Sequence, residues 1–154
     1  MLNEDYKEML QILLEENVKF IVVGAYALGA HGFPRATGDI DIWIESTAVN
    51  AKKLIRSLAR FRVPLSDVNE KDFTDEGIIF QIGIAPRRID IITTIDGVEF
   101  QSAYAKKLLV SVEGLNIPVL SVEDLIKNKE STGREKDALD AKMLKKRLIP
   151  NQNQ

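Results

Sequence analysis

Asp39-Ile40-Asp41 sets two carboxylates two residues apart. On an extended strand that spacing points both acids to one face while Ile40 and Ile42 point to the core. Two acids so placed repel each other, which disfavours joint ionisation unless a cation sits between them. Donors that are all oxygen suit a hard divalent ion, Mg²⁺ or Mn²⁺. A third acid, Asp90, stands between Ile89 and Ile91-Ile92, where a buried carboxylate without a partner is costly. If its strand lies beside that of Asp39 and Asp41, three carboxylates converge, as a two-metal site with ions roughly 3.5–4 Å apart requires. The competing reading is a solvated sheet edge that carries charge for solubility.

A second feature lies upstream. Val22-Val23-Gly24-Ala25 passes from an apolar run into good helix formers, so free backbone N–H groups at a strand-to-helix turn could receive phosphate oxygens. Gly24 lets a phosphate approach the backbone closely; the alternative is an ordinary tight turn. After Gly24, four residues lead to Gly29, but Ala30-His31 follows rather than Lys-Ser/Thr, and no G-x-G-x-x-G occurs. A Walker ATPase and a Rossmann enzyme are therefore unsupported.

The elements that must position these residues follow from periodicity. Tyr6, Met9, Leu10, Leu13 and Leu14 form one stripe of an amphipathic first helix. Residues 18–23 read as a strand covered on both faces, Ala25 to Ala30 as a short helix, and Asp39 to Ile44 as an alternating strand. A covering helix is expected over 48–58 and an irregular stretch over 66–76. Residues 77–84 and 88–93, joined by Ala85-Pro86-Arg87, read as an antiparallel strand pair. The pattern then predicts a helix over 98–107 and a hairpin formed by 108–112 and 115–120. Ser121 is expected to cap a helix that Gly133 punctuates, with a last helix over 134–148. The expected fold class is α+β, a mixed, largely antiparallel sheet flanked by helices, in one domain over 1–150 with a disordered tail at 151–154.

Composition narrows the chemistry. The chain has 154 residues, no cysteine and one histidine. Disulfide scaffolds, thiol nucleophiles and zinc sites built from Cys or several His are excluded. A chain of this size can bury roughly 68–70% of its unfolded surface, so it needs no covalent staple. Lysine and arginine number 21 against 23 acids, a formal charge of −2 that argues neither for nor against nucleic acid. No apolar run reaches the ~20 residues of a membrane span, and the cytoplasm is the expected location. The charge is uneven, however: residues 127–147 carry eight basic and four acidic side chains. That segment could neutralise a triphosphate or follow an RNA backbone, or be a solvated helix whose basic end suits its dipole. Lys129 and Arg134, near the helix break, and Arg35, on the loop before Asp39, are candidate phosphate ligands. Thr37 is either part of that site or a loop cap. His31 is expected to close its helix rather than to catalyse, and Trp43 to pack rather than to stack on a base.

Together, Val23-Gly24-Ala25, Asp39-Ile40-Asp41 and Asp90 resemble the polymerase-β-like nucleotidyltransferase superfamily. Its signature is an apolar residue with Gly-Gly or Gly-Ser, an acid–apolar–acid pair and a third acid on a later strand. Arg35-Ala36-Thr37-Gly38-Asp39-Ile40-Asp41 resembles the R-x-T-x-D-x-D form of the abortive-infection (AbiEii-type) toxin branch and of minimal bacterial and archaeal members. Lys129 with Arg134-Glu135-Lys136-Asp137-Ala138-Leu139-Asp140 is similar to the same branch's C-terminal motif. Ala25 departs from the pattern: it keeps the backbone N–H but lacks a serine hydroxyl.

The resemblance implies transfer of an NMP from an NTP to an acceptor, with release of pyrophosphate. Asp39, Asp41 and Asp90 would be the catalytic metal ligands for Mg²⁺ or Mn²⁺. Gly24, Ala25, Arg35, Thr37, Lys129 and Arg134 would bind the nucleotide. RNA, a protein hydroxyl and a small molecule all stand as acceptors, and a toxin held by an antitoxin partner is the branch-level expectation. A non-catalytic nucleotide-binding module, favoured by Ala25, and an interaction protein with a merely solvated acidic patch are the rival readings.

Overall fold

A computed structural model describes residues 2–148, so the tail expected at 151–154 lies outside the described residues. The first helix, α1 (Glu4–Glu15), starts at Asn3, whose side chain accepts the Tyr6 N–H at 2.9 Å. It buries Tyr6, Met9, Leu10 and Leu13, and Ile12 takes the buried place expected of Leu14. Strand β1 (Phe20–Val23) is buried throughout. It begins two residues later than expected: the buried Asn50 amide accepts from the Lys19 N–H at 2.8 Å and donates to the Lys19 and Glu45 carbonyls.

Helix α2 (Gly24–Ala30) follows without a loop and ends at His31. A ring N–H of His31 donates to the Leu120 carbonyl at 2.7 Å, so this residue ties the helix end to the sheet, in keeping with a helix-closing role. Strand β2 (Asp39–Ile44) carries the paired acids, and helix α3 (Ala48–Arg60), capped by Thr47, runs two residues past the expected end. Within the stretch expected to be irregular, Asn69 and Asp72 cap each other around a short 3₁₀ turn at Glu70–Phe73. Strand β3 (Ile79–Ile82) is shorter than expected because Gly77 and Gly83 adopt φ of +73° and +76°, which breaks the extended chain on either side. Then come β4 (Arg88–Ile92), α4 (Phe100–Ala105), β5 (Leu108–Val112), β6 (Leu115–Val119), α5 (Val122–Ser131) and α6 (Glu135–Leu148).

The six strands form one sheet in the order β3-β4-β2-β1-β6-β5. Three neighbouring pairs are antiparallel (β1–β2, β3–β4 and β5–β6), and two are parallel (β1–β6 and β2–β4). The fold is α+β with a mixed sheet between helices, as the patterning implied. Ile40, Ile42 and Ile44 are fully buried, and Ile40 lines a small apolar cavity on that face together with Leu10 of α1. The opposite face carries Asp39, Asp41 and Trp43 and looks toward α4, α5 and α6. Trp43 packs: its indole N–H donates to the Thr93 carbonyl at 3.2 Å and its ring meets Phe100 edge-on at 5.1 Å. Among the described residues no helix is long and apolar enough to cross a membrane.

Candidate functional site

Register explains why the acids meet. In the parallel pairing of β2 with β4, Asp41 lies opposite Asp90 and Asp39 opposite Arg88, while β1 sets Val23 on the other side of Asp41. With a side-chain period of two, Asp39, Asp41, Arg88 and Asp90 therefore all project from one face. One carboxylate oxygen from each of Asp39, Asp41 and Asp90 lies within 4.8 Å of the others.

The three acids are held differently. The Thr37 hydroxyl donates to Asp39 at 2.8 Å. Arg88 binds Asp90 through Nε at 2.9 Å and Nη2 at 3.2 Å, and the same Nη2 reaches Asp39 at 3.1 Å. Burial pushes Asp39 upward, but the Thr37 hydrogen bond, the neighbouring carboxyls and the Arg88 charge outweigh it and hold Asp39 below the usual carboxylate range. Asp41 is not hydrogen-bonded by Arg88, and the charge of that guanidinium offsets its burial only in part. Burial first, then the charges of Asp39 and Asp90, push its carboxyl up to about 7. A half-buried acid opposed by two like charges, in a set of hard oxygen donors alone, fits a divalent cation.

Gly24 packs against this acid. It has φ +67°, and a Cβ there would stand 2.3 Å from Asp41 Oδ2. Gly24→Ala is thus expected to displace the Asp41 carboxylate and strain the turn together. We expect a loss of about 1–3 kcal/mol, or roughly 2–12 °C in Tm, measurable by thermal melting. Stability equal to wild type would show that the turn tolerates a side chain and that the close contact is not needed.

The acids open into a cleft of about 550 Å³ between the sheet face and the α5–α6 pair, lined near the acids by Gly24 and Ala25 and opposite them by Lys129, Arg134 and Lys136. A side recess of about 220 Å³ extends from it past Arg35 and Thr37. Six of the nine sequence-derived candidates line this cleft, Arg35 and Thr37 line its recess, and Asp90 stands beside Asp41, but the basic ones are not free. Arg35 forks onto Asp140, with Nη1 at 2.9 Å from one oxygen and Nη2 on the other. Lys129 reaches Asp137 at 3.3 Å and Asp140 at 3.2 Å, and the largely exposed Arg134 binds Asp137 at 3.0 Å. Asp137 and Asp140 are 8% and 2% exposed, so they anchor the basic wall from within.

Four participants were not among the candidates drawn from the sequence: Arg88, and Lys136, Asp137 and Asp140 of the C-terminal motif. Arg88-Ile89-Asp90 repeats the two-residue spacing that singled out Asp39 and Asp41, and that signal could have placed Arg88 beside Asp90. The two acids sit in the C-terminal motif, with i, i+3 spacing that puts them on one side of α6.

Residues 2–152 match the model of a family described as "Nucleotidyl transferase of unknown function (DUF2204)". The chain belongs to this family. That nucleotidyltransferase assignment supports the superfamily resemblance, but the match is not to the abortive-infection toxin branch. The fold is similar to that in the crystal structure of "a putative nucleotidyltransferase (TM1012)" from Thermotoga maritima, at 20% identity and a TM-score of 0.58, covering 97% of this chain and 96% of that one. No curated protein shows significant sequence similarity.

Proposed function

We propose that this family member transfers an NMP from an NTP to an acceptor in a reaction dependent on Mg²⁺ or Mn²⁺. The observation that carries the proposal is the carboxylate triad set against the Gly24 turn, at the mouth of a cleft whose far wall is basic. Asp39, Asp41 and Asp90 would hold the metal, whose bound charge offsets that of the phosphates and lowers the pKa of an attacking hydroxyl. The Gly24 and Ala25 backbone N–H groups would hold the β- and γ-phosphate oxygens. Thr37 orients Asp39, while Lys129 and Arg134, with Arg35 behind them, would add positive charge along the triphosphate. Asp90, beside the outer strand β3, would accept the acceptor hydroxyl's proton. The acceptor oxygen bonds to the α-phosphorus as the bond to the leaving pyrophosphate breaks. RNA, a protein hydroxyl and a small molecule are the acceptor classes, and cytoplasmic residence remains part of the proposal. The similarity of Arg35–Asp41 and of the C-terminal motif to the toxin branch is what favours a toxin with an antitoxin partner.

Incubation with each labelled NTP, Mn²⁺ and a cell extract should release pyrophosphate and label one acceptor class. Asp39→Asn, Asp41→Asn and Asp90→Asn should each lower the rate by at least about 10²-fold. NTP binding without pyrophosphate release would favour the second reading, a non-catalytic nucleotide-binding module, for which Ala25 in place of a hydroxyl-bearing residue is the supporting observation. Retained activity in any two of the variants would defeat the assignment of the triad.

A further inference from the structure

We propose that Arg88 is the internal cation of the carboxylate triad, a positioning residue that holds Asp39 and Asp90 together without metal and competes with a divalent ion for the same carboxylates. The inference rests on the reading of the triad as a metal site. Its geometry is specific: a single guanidinium spans both oxygens of Asp90, at 2.9 and 3.2 Å, and reaches Asp39 at 3.1 Å. Only a planar fork makes that bridge; an ammonium is a point charge and cannot present two parallel donors to one carboxylate while reaching another.

The bridge is not required to hold β4 in place. That strand is already paired to β2 along its length and to β3 over Ile89–Ile92, and it buries Ile89 and Ile91. The Arg88 backbone is pinned separately, its N–H donating to the Gly38 carbonyl at 3.3 Å and its own carbonyl accepting the Tyr6 hydroxyl at 3.1 Å. Its side chain is about one-third exposed (34%), against 9% for that of Asp90. The guanidinium can therefore rotate toward solvent about its own χ angles while strand and acids stay where they are. What the bridge does accomplish is electrostatic: it hydrogen-bonds one positive charge to two of three converging acids and leaves Asp41 without a hydrogen bond to it. A divalent ion drawing on Asp39 and Asp90 must take over oxygens that Arg88 occupies. Its apparent affinity is then reduced by the fraction of molecules in which Arg88 remains docked.

The test is a calorimetric Mn²⁺ titration of wild type, Arg88→Gln, Arg88→Lys and Asp41→Asn, paired with melting curves in chelator and in saturating Mn²⁺. Arg88→Gln is expected to bind Mn²⁺ at least tenfold more tightly than wild type and to melt lower in chelator, with the melting gap closing in Mn²⁺. Arg88→Lys, which keeps the charge and loses the fork, should bind severalfold more tightly. It carries the test alone if the Gln variant does not fold. Affinity unchanged or weakened in a folded Arg88 variant overturns the proposal, because a residue that merely supports the fold or contacts substrate does not compete with metal. If wild type binds Mn²⁺ and Asp41→Asn weakens that binding, the metal site stands whatever Arg88 does. If neither wild type nor any Arg88 variant binds Mn²⁺, the metal-site reading falls and this inference falls with it.

Discussion

At pH 8 in chelator, Asp41→Asn is expected to melt higher than wild type, whereas Asp39→Asn and Asp90→Asn melt lower. The three acids share a cluster but not an environment. Asp39 and Asp90 are bonded by Arg88, so neutralising either removes a charge-assisted partner from a half-buried guanidinium. For Asp41, burial and two like charges outweigh the pull of the Arg88 charge and push its carboxyl up to about 7 from an ordinary 3.8. Its proton is bound more tightly in the folded than in the unfolded chain. The associated stability is fully present below about pH 4, declines as pH rises, and is gone above about pH 7. Across that window the wild type should lose on the order of 2–3 kcal/mol relative to Asp41→Asn, or roughly 4–12 °C in Tm. Melting curves at half-unit steps from pH 4.5 to 8.5 measure this directly. Mn²⁺ should restore the wild type at pH 8 and have little effect on Asp41→Asn. Three variants shifting alike, with no dependence on pH or metal, would make the acids a solvated patch.

The other large effect lies behind the basic wall. Asp140→Ala should destabilise the protein by about 3 kcal/mol, or roughly 6–12 °C in Tm. Asp140 is 2% exposed and serves Arg35 and Lys129 together, so its removal strands Arg35 and leaves Lys129 with Asp137 alone. The effect should weaken in Arg35→Ala/Asp140→Ala and, by less, when Lys129→Ala is added, because the first change removes a charge that the single variant leaves unpaired and the second one that keeps only Asp137. Burial raises the Asp140 pKa, but the Arg35 and Lys129 hydrogen bonds and charges outweigh it and hold the carboxyl below its ordinary range. This contribution is therefore present above the ordinary carboxylate range and fades as pH falls through the lowered pKa, opposite in sign to that of Asp41. Fully additive losses in the double and triple variants would show that the three groups do not act as one network.

Local pattern determined much of this protein. The i, i+3, i+4 stripe of α1, the alternation of β2 and the Ser121 cap each state a conformation within a few residues, because helix and strand periods are local properties of the chain. Asp39-Ile40-Asp41 disclosed a shared face for the same reason. Element ends were less legible. β3 loses its flanks to two glycines with positive φ, and β1 starts after a backbone position claimed by the side chain of Asn50, thirty-one residues away. The triad itself was not decided by local pattern. Asp90 becomes the partner of Asp41 only because β4 lies parallel to β2 in one register, and a slip of one residue would have turned its carboxylate to the opposite face. The C-terminal cations appeared in the sequence as free charge available to phosphate. Tertiary packing instead places Asp137 and Asp140 beneath them, because acids this deeply buried need compensating partners, and Arg35, Lys129 and Arg134 supply that compensation.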